Sequence, residues 1–408
     1  MDINLYSEIG KLNGVILHTP GKEIEQMTPD TIEEALYSDL LNMDVAQKEY
    51  FLFSEVLKRW TTTYQVKDLL TQTLQDENAK KDLVSRIVFS ERCLLLFEPL
   101  MNMSADELAT ILIEGLTYDE ASFIKSKPKE RYILRPLYNL FFTRDASSSM
   151  YDRVLINAMK SKVRERETLI MDAIFQNIFS SQTINPLSYS ADARTEGGDV
   201  LIAKDDVLFL GCGLRTNKQG VEFLADYFAK TLKHQHIIVQ DLPHSPESFI
   251  HLDMVFTMLD RDKCMIYEPL LKEPSLQTWH IEIDKGHISY NEKDNFLAAT
   301  KDVGFDLQPV FCGGDDLWHQ QREQWHSGAN FFCLAEGKII GYARNTNTIE
   351  ALNQAGFDII DAKDVIKGRE DMLKHNKFAV IFDAAELPRG GGGARCMTMP
   401  INRDKVDW

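Results

Sequence analysis

Hydrophobic and polar positions alternate along the chain in a recurring order of apolar strand, polar turn, amphipathic helix and second strand. The stretch that begins VLFLGCGLRTN at Val207 has this order, and so does KIIGYARNTNT from Lys338. ILHTPGKEIEQMTP, from Ile16, begins a looser copy. A unit of this kind buries only one face by itself, so neighbouring units must cover its remaining apolar surface. The pattern therefore predicts an α/β fold built as a closed ring of such units, with an ordinary doubly wound sheet as the alternative.

The N-terminal copy carries clear boundaries. Residues 13–20, NGVILHTP, predict a strand that ends in a turn. Thr28 and Pro29 then fit a helix N-cap followed by proline at the first helical position, where the missing N–H costs nothing.

Residues 65–130 differ, because they are rich in Leu, Lys and Glu at helical spacing. Ser104 and Glu107 fit a capping box, in which each side chain satisfies a backbone amide of the other residue. The apolar positions that should share one helical face are Leu108, Ile111, Leu112 and Leu116. We predict one catalytic unit over residues 1–408, interrupted by a helical insertion over 65–130 that packs or covers without chemistry of its own.

Charge narrows the range of partners. The 408 residues carry a net charge of −17, which argues against nucleic acid or an anionic membrane as a partner. There is no run of about 18 apolar residues, and the N-terminus has no basic region followed by an apolar one. We therefore expect a cytoplasmic protein.

The six cysteines are scattered, without C-x-x-C spacing. Five are expected to be small buried hydrophobes in a reducing compartment. Cys396 differs, because it follows the glycines Gly390 to Gly393, which have no side chains to cover it. Glycine is costly to order, so the stretch ELPRGGGGARCMTMP calls for a functional explanation.

Polar residues also cluster in three other apolar stretches. These are Asn139 and Asp145 in NLFFTRD, Glu196 and Asp199 in TEGGDVLI, and His251 and Asp253 in HLDMVFTMLD. Taken singly, each cluster is most simply a turn, a surface ion pair or a packed side chain. Together they supply what a cysteine nucleophile needs, which is a histidine and a carboxylate to orient it.

The acids also suggest the charge of the substrate. On a strand, His251 and Asp253 would face one side together. Carboxylates beside Cys396 would oppose thiolate formation, unless a cation lies between them. A guanidinium is planar, always positive and pairs bidentately with carboxylates, so Asp145 and Asp253 could hold its two ends while the thiol attacks its carbon.

The motifs FTRD, KVRERETL, EGGDV, HLD and RGGGGARCMTMPI, in this order, resemble the arginine deiminase family of the guanidino-group-modifying, or pentein, superfamily. The resemblance extends from residue 1 to 408. It implies a five-bladed α/β propeller with pseudo-fivefold symmetry and a helical insertion. It also implies hydrolysis of L-arginine to L-citrulline and ammonia through a covalent cysteine thiouronium intermediate, with water as the second substrate and neither metal nor organic cofactor.

The resemblance also assigns roles. Cys396 is the expected nucleophile, His251 the general acid and base, and Glu196 the residue that orients His251. Asp145 and Asp253 would bind the guanidinium. The remaining expected substrate-binding residues are Asn139, Arg164, Asp199, Arg215 and Arg389. Of these, Arg164 and Arg215 would meet the α-carboxylate, with Arg166 as a substitute for Arg164, while Arg389 would close the site.

Other functions remain open at this stage. An amidinotransferase of the same superfamily would share the cysteine, histidine and acids, and so would a non-catalytic arginine-binding relative. A dimethylarginine hydrolase fits less well, because the insertion and KVRERETL do not match it. A Rossmann-type enzyme would need G-x-G-x-x-G after an early strand, which is absent. We also expect a homo-oligomer.

Overall fold

Short strands and helices alternate along the chain in a computed structural model that describes residues 2–33, 35–121, 130–271, 273 and 275–408. The strands are β1 Leu12–Leu17, β2 Thr62–Gln65, β3 Leu116–Thr117, β4 Tyr132–Leu134, β5 Ser147–Met150, β6 Arg153–Ile156, β7 Thr183–Ile184, β8 Val200–Lys204, β9 Val207–Cys212, β10 His234–Asp241, β11 Phe256–Met258, β12 Lys263–Ile266, β13 Thr278–Asp284, β14 His287–Lys293, β15 Gln308–Phe311, β16 Phe332–Ala335, β17 Lys338–Tyr342, β18 Asp358–Asp361, β19 Phe378–Phe382 and β20 Met399–Arg403. The helices are α1 Lys22–Glu25, α2 Met43–Trp60, α3 Val66–Thr73, α4 Glu77–Ser90, α5 Phe97–Met101, α6 Ala105–Glu114, α7 Glu165–Asn177, α8 Lys218–Thr231, α9 Glu268–Leu271, α10 Phe296–Asp302, α11 Leu317–Trp325, α12 Thr346–Gln354 and α13 Ala362–Ile366.

One pairing pattern recurs in five sheets of the described chain. In each, a central strand pairs antiparallel on one side and parallel on the other. The five triplets are β20-β1-β2, β5-β6-β7, β8-β9-β10, β11-β12-β15 and β16-β17-β19. Helices lie between the parallel strands in sequence, as a parallel crossover requires. The predicted repeat of strand, helix and strand is therefore present.

The two ends of the chain meet in one sheet. β1 pairs with β20 in antiparallel orientation, with Val15 opposite Pro400 and Ile16 opposite Met399. Bulges at Leu12 and Gly14 shift this register. Because β20 follows Cys396 directly, the pairing anchors the predicted nucleophile to the start of the chain.

The predicted N-terminal boundaries agree with the structure. β1 lies inside residues 13–20 apart from Leu12. Thr28 is the N-cap of a turn that begins at Pro29, but the turn is a short 3₁₀ helix over Pro29–Thr31 rather than an α-helix. The long helix of the unit, α2, begins only after a second N-cap, Asn42, whose side chain accepts from the amide of Val45.

The segment 65–130 is helical where the structure describes it; its residues 122–129 lie outside the described residues. Helices α3 to α6 fill positions 66–114, and the capping box of Ser104 and Glu107 starts α6 as predicted. Leu116 is a correction, because Gly115 with φ +88 ends the helix and Leu116 opens β3. Leu116 is nevertheless buried, in a core that these helices share with α7 and β20.

No helix among the described residues combines the length and apolar character needed to cross a membrane.

Candidate active site

The predicted motifs meet at one cavity of about 80 Å³, walled on one side by the glycine loop. Seven of the ten predicted site residues line it: Asn139, Asp145, Arg164, Glu196, Arg215, His251 and Cys396. Asp253 is fully buried beside Cys396, with its Oδ2 3.8 Å from the thiol sulfur. The structure thus brings together residues that are up to 257 positions apart in the sequence, from Asn139 to Cys396.

Close packing accounts for the glycines before Cys396. A Cβ on Gly392 would lie 2.5 Å from the Phe142 ring, and one on Gly393 would lie 2.7 Å from Asn330. Gly391 adopts φ +84, which only glycine adopts freely. The loop is therefore fitted tightly around the nucleophile, and the carbonyl of Gly392 accepts a hydrogen bond from the Tyr342 hydroxyl.

His251 is held by an acid on each side. Its Nε2 lies 2.9 Å from Oε2 of Glu196, and its Nδ1 lies 3.8 Å from Oδ1 of Asp145. Burial lowers the pKa of His251, but these carboxylates outweigh it and raise the pKa to about 9. His251 is therefore protonated at neutral pH, and its Nδ1 faces Asp145.

Glu196 stays ionised in spite of full burial. Burial would raise its pKa, but the hydrogen bond from His251 and the charge of Arg215 hold the pKa near 2. Its second oxygen, Oε1, accepts from the backbone amide of Lys160 at 3.0 Å. The carboxylate is thus fixed at both oxygens and fixes the histidine in turn.

The Gly-Gly turn brings backbone close to the histidine. A Cβ on Gly198 would lie 2.5 Å from Cγ of the His251 ring. Asp199 is buried behind this turn and accepts the amide of Leu252 at 2.9 Å. Burial raises the pKa of Asp199 to about 6. Asp199 does not line the cavity. It contacts the residue that follows His251 instead.

Asp145 and Asp253 each have one oxygen paired with a protein arginine. Oδ2 of Asp145 accepts from Arg164 at 2.7 Å, and Oδ2 of Asp253 accepts from Arg395 at 2.8 Å. The other oxygen, Oδ1, is buried without a hydrogen-bond partner in both residues. A buried carboxylate oxygen without a donor is costly, so these two atoms have an unmet requirement for donors.

The thiol of Cys396 is neutral in this arrangement. Burial, followed by the charges of Asp253 and Asp145, raises the pKa of Cys396 well above its ordinary value. Burial also raises the pKa of the remaining cysteines that lie in the core, such as Cys264 and Cys312. Cys396 differs from Cys264 and Cys312 because two carboxylates, Asp253 and Asp145, raise its pKa in addition to burial, and a bound cation would cancel their effect.

The predicted arginines occupy different environments. Arg215 is buried, its Nη1 lies 3.7 Å from Glu196, and its Nε has no hydrogen-bond partner. Arg164 is also buried, but Asp145, Glu167 and two backbone carbonyls accept from its guanidinium. The expectation that both meet a substrate carboxylate stays a prediction; of the two, Arg215 has a buried donor without a hydrogen-bond partner and Arg164 does not. Nε and Nη1 of Arg166 are also buried without such a partner.

The other predicted contacts differ in position, because Arg389 and Arg166 lie outside the cavity lining whereas Asn139 belongs to it. Arg389 is half-exposed and pairs with Asp39 outside the cavity lining. Arg166 is buried against the helical segment, where it faces Glu91. Asn139 lines the cavity and donates through Nδ2 to the carbonyl of Ala35 at 2.7 Å.

One local prediction is wrong. His251 and Asp253 do not lie on a strand, because residues Leu252–Met254 form a 3₁₀ turn with His251 as its N-cap. The bond from the Leu252 amide to Asp199 holds this turn. Both side chains still reach the cavity region, His251 through its ring and Asp253 through the contact with Cys396.

Comparison with known proteins decides the family. The chain matches the arginine deiminase family model over residues 33–403. It belongs to the arginine deiminase family. It is 30% identical to an arginine deiminase from Borrelia duttonii (strain Ly), covering 99% of this chain and 98% of the relative. An arginine deiminase from Bacillus thuringiensis subsp. konkukian is also 30% identical, with 99% of each chain covered.

The similarity of the chain to solved structures concerns its fold only. SxtG, an amidinotransferase from Microseira wollei, has a TM-score of 0.56 at 14% identity and covers 99% of this chain and 98% of its own. A DDAH from Pseudomonas aeruginosa has a TM-score of 0.53 at 13% identity, over 96% of this chain and 99% of its own. These relatives place the chain among mixed α/β pentein folds. As an arginine deiminase family member, the chain is a hydrolase of the guanidino C–N bond that converts L-arginine to L-citrulline.

Three residues that hold the candidate site together were not predicted from the sequence. Oδ1 of Asn330 accepts the amides of Arg395 and Cys396, and its Nδ2 donates to the carbonyl of Asp253. Arg395 binds both oxygens of Glu8 as well as Asp253. A single asparagine and an acid near the N-terminus give no motif signal, whereas Arg395 lay visible inside RGGGGARC.

Proposed function

We propose that Cys396 attacks the guanidinium carbon of L-arginine while Asp145 and Asp253 hold the guanidinium. The observation that carries this assignment is the pair of buried, unpartnered Oδ1 atoms on these two acids, one of which belongs to a residue in contact with the thiol. A guanidinium offers donors in the planar arrangement that carboxylates accept. Substrate binding therefore satisfies atoms that the protein itself leaves without donors.

The bound cation also activates the nucleophile. In the free enzyme the carboxylates oppose ionisation of Cys396. A guanidinium between them reverses the local charge and lowers the pKa of the thiol, and the charged imidazolium of His251 acts in the same direction. The thiolate then forms in the presence of the substrate that it attacks, which protects an otherwise reactive group.

His251 moves the protons. Attack of the sulfur gives a tetrahedral adduct, and His251 donates a proton to one NH₂ group, so that neutral ammonia leaves. A cysteine thiouronium remains. Neutral His251 then takes a proton from water, and the hydroxide adds to the same carbon. The C–S bond breaks as the hydroxyl proton passes to the sulfur, which releases L-citrulline and restores the thiol and the charged His251. Glu196 stabilises the charged form of His251 through its 2.9 Å hydrogen bond.

The amino-acid end of the substrate is assigned to Arg215. Its buried Nε has no partner, which supports a contact with the α-carboxylate. Arg164 instead positions Asp145, because its donors already have acceptors. Asn139 lies in the same wall and would complete the contact with the amino-acid end.

Comparison of arginine with agmatine, which lacks the carboxylate, tests this assignment. The wild type should prefer arginine, and Arg215→Ala should lose arginine activity and so narrow the difference between the two substrates. A charge-assisted hydrogen bond contributes about 1.5–3 kcal/mol. The ratio of arginine activity to agmatine activity should therefore be at least tenfold smaller in Arg215→Ala than in the wild type. Arg389→Ala at the rim is the matched control and should keep the wild-type preference. Unchanged selectivity in Arg215→Ala would reject the assignment.

The five recurrent sheets support a further proposal, which is their arrangement as the blades of an α/β propeller. Each triplet has the same order and pairing, and β1 pairs with β20 as closure of a ring would require. The helical segment 65–130 would be an insertion between the first two blades. Its apolar side chains pack into a core shared with the rest of the chain, so it would stabilise the unit rather than fold apart.

We also propose that the chain forms a homo-oligomer and is located in the cytoplasm. Phe89, Leu94 and Leu95 expose 78%, 67% and 81% of their surface in the helical segment, which supports a homo-oligomer that covers them. Light scattering would reject this if the chain is monomeric at working concentration. Six cysteines without disulfides are consistent with a reducing cytoplasm.

A further inference from the structure

A histidine cluster lies outside the cavity, on the sheet formed by β10 and β13. His234 and His236 are two positions apart on β10 and so point to one face. His236 is paired in register with Glu282 of β13, and His234 with Asp284. His280 stands on the same face, two positions before Glu282. None of these residues lines the active-site cavity.

We propose that His234, His236 and Glu282 form a binding site for a first-row transition metal ion of the Zn²⁺ class. One ligand atom from each of the three lies within 4.8 Å of the others. In the part of the chain that the structure describes, this is the one group of at least three such ligands close enough together. Imidazole nitrogens with a carboxylate oxygen are a donor set that Zn²⁺ takes.

The distances between ligand atoms suit a small ion. Nε2 of His234 and Nε2 of His236 are 2.9 Å apart. Two nitrogens at about 2.0–2.1 Å from a tetrahedral zinc lie roughly 3.3 Å apart, so a small side-chain rotation would admit the ion. Half-exposure of His234 leaves the site open to solvent, and a water could take a fourth position.

Neighbouring groups would orient the two imidazoles. Nδ1 of His236 lies 2.9 Å from Nε2 of His280. Donation from His236 Nδ1–H to His280 leaves the lone pair on His236 Nε2, the atom that faces His234. Nδ1 of His234 lies 3.9 Å from Oδ1 of Asp284, close enough to become its acceptor after a small shift. Such partners commonly fix the tautomer of metal-binding histidines.

A metal here would join β10 to β13 at the first residues of β10. None of its three ligands lines the cavity that holds His251 and Cys396. Catalysis by Cys396 does not involve it. We therefore expect the ion to stabilise the sheet and to leave turnover of arginine unchanged.

The experiment is a titration of tag-free, chelator-treated protein with Zn²⁺ in competition with a chromophoric chelator. The wild type should bind one Zn²⁺ per chain at this site, and His236→Ala and Glu282→Gln should each lose it. His280→Ala should weaken binding by about 10- to 100-fold, the usual effect of a group that orients a ligand. His319→Ala is the matched control, because His319 has a similarly exposed side chain, 48% against 43% for His234, on another element.

Three further readouts make the result decisive. Zn²⁺ should raise the unfolding midpoint of the wild type but not of His236→Ala. Co²⁺ should give the visible absorption of a four-coordinate site. Binding that persists in His236→Ala and disappears in Cys396→Ala would mean that the metal occupies the catalytic cavity, and would overturn the proposal. Absence of binding by the wild type would show that the cluster is only a chain of hydrogen-bonded imidazoles, and would overturn it equally.

Discussion

At the residue scale, the charge of His251 depends on acids that the substrate does not displace. Glu196→Gln keeps the shape of that contact but removes its negative charge. The pKa of His251 should then fall from about 9, and the alkaline limb of kcat/KM should move to lower pH. We also expect kcat to fall by roughly 10³- to 10⁴-fold, as when an orienting acid is lost from a catalytic triad. A pH–rate profile with an unchanged alkaline limb would contradict the role of Glu196.

Asp253 should control substrate affinity as well as the thiol. In a Cys396→Ala background, which permits binding without turnover, Asp253→Asn should weaken arginine binding by about 3–5 kcal/mol, because one charge of a buried pair is lost. Calorimetric titration measures this directly. The exposed Asp205→Asn is the control and should bind normally. Equal affinity in both variants would remove Asp253 from the guanidinium site.

The sequence singled out residues that the structure brings together at one cavity, because chemistry limits the residue types that a reacting cysteine needs beside it. Few protein functions require a thiol, a histidine and several acids together near glycines, and the order of the motifs reduces the number of candidate functions further. Asn330, Glu8 and Arg395 act by holding those residues in place. Many side chains can supply such hydrogen bonds from many positions, so no local pattern marks the ones that do.

At the scale of elements, the Gly-Gly turn sets the position of the histidine. Gly198→Ala would place a methyl group 2.5 Å from the His251 ring, so the turn or the ring must move. A displacement of about 1 Å costs about 100-fold in rate, and we expect at least that loss in kcat with the fold intact by circular dichroism. Gly368→Asn, at an open position with φ +68, should keep full activity. Normal kcat in Gly198→Ala would show that the close approach has no catalytic role.

Local sequence patterns predicted the elements well where the stabilising hydrogen bonds join residues that are close together in the sequence. The capping box of Ser104 and Glu107 is satisfied within four residues and was predicted correctly. The turn at His251 was predicted as a strand. The hydrogen bond that holds the turn joins the Leu252 amide to Asp199, 53 positions away, and the local sequence does not show it. Contacts of that kind are not visible in the hydrophobic pattern.

At the scale of the whole molecule, a buried ion network joins the first residues to the last. Arg395 contacts Glu8 and Asp253, and burial would raise the pKa of Glu8, but Arg395 and Arg144 outweigh burial and lower it. A lowered folded-state pKa stabilises the fold above the unfolded value of about 4.3, and this stabilisation is lost as pH falls.

Glu8→Gln should therefore lower the free energy of unfolding by about 3–5 kcal/mol at pH 7, because it leaves Arg395 without a charged partner. The difference from wild type should shrink as the pH falls below about 4.3. Urea unfolding at a series of pH values measures it, with the exposed Glu33→Gln as control. A difference that does not depend on pH would contradict the ionic origin of the effect.

The repeat of strand and helix was visible in the sequence at three places, and the structure has the pairing pattern in five. The two units that were missed have short strands, such as β7 with two residues and β11 with three. Strands of that length have too few positions to reveal a period, so their pairing becomes apparent only in three dimensions.

The measurement that tests the account most directly is mass spectrometry of the enzyme quenched with acid during turnover of L-arginine. We predict that wild-type protein gains the mass of arginine less ammonia, that the added mass maps to Cys396, and that it disappears as substrate is exhausted. Cys396→Ser should show neither adduct nor turnover, since the hydroxyl provides no accessible anion. An adduct on another residue, or full turnover by Cys396→Ser, would contradict the central claim.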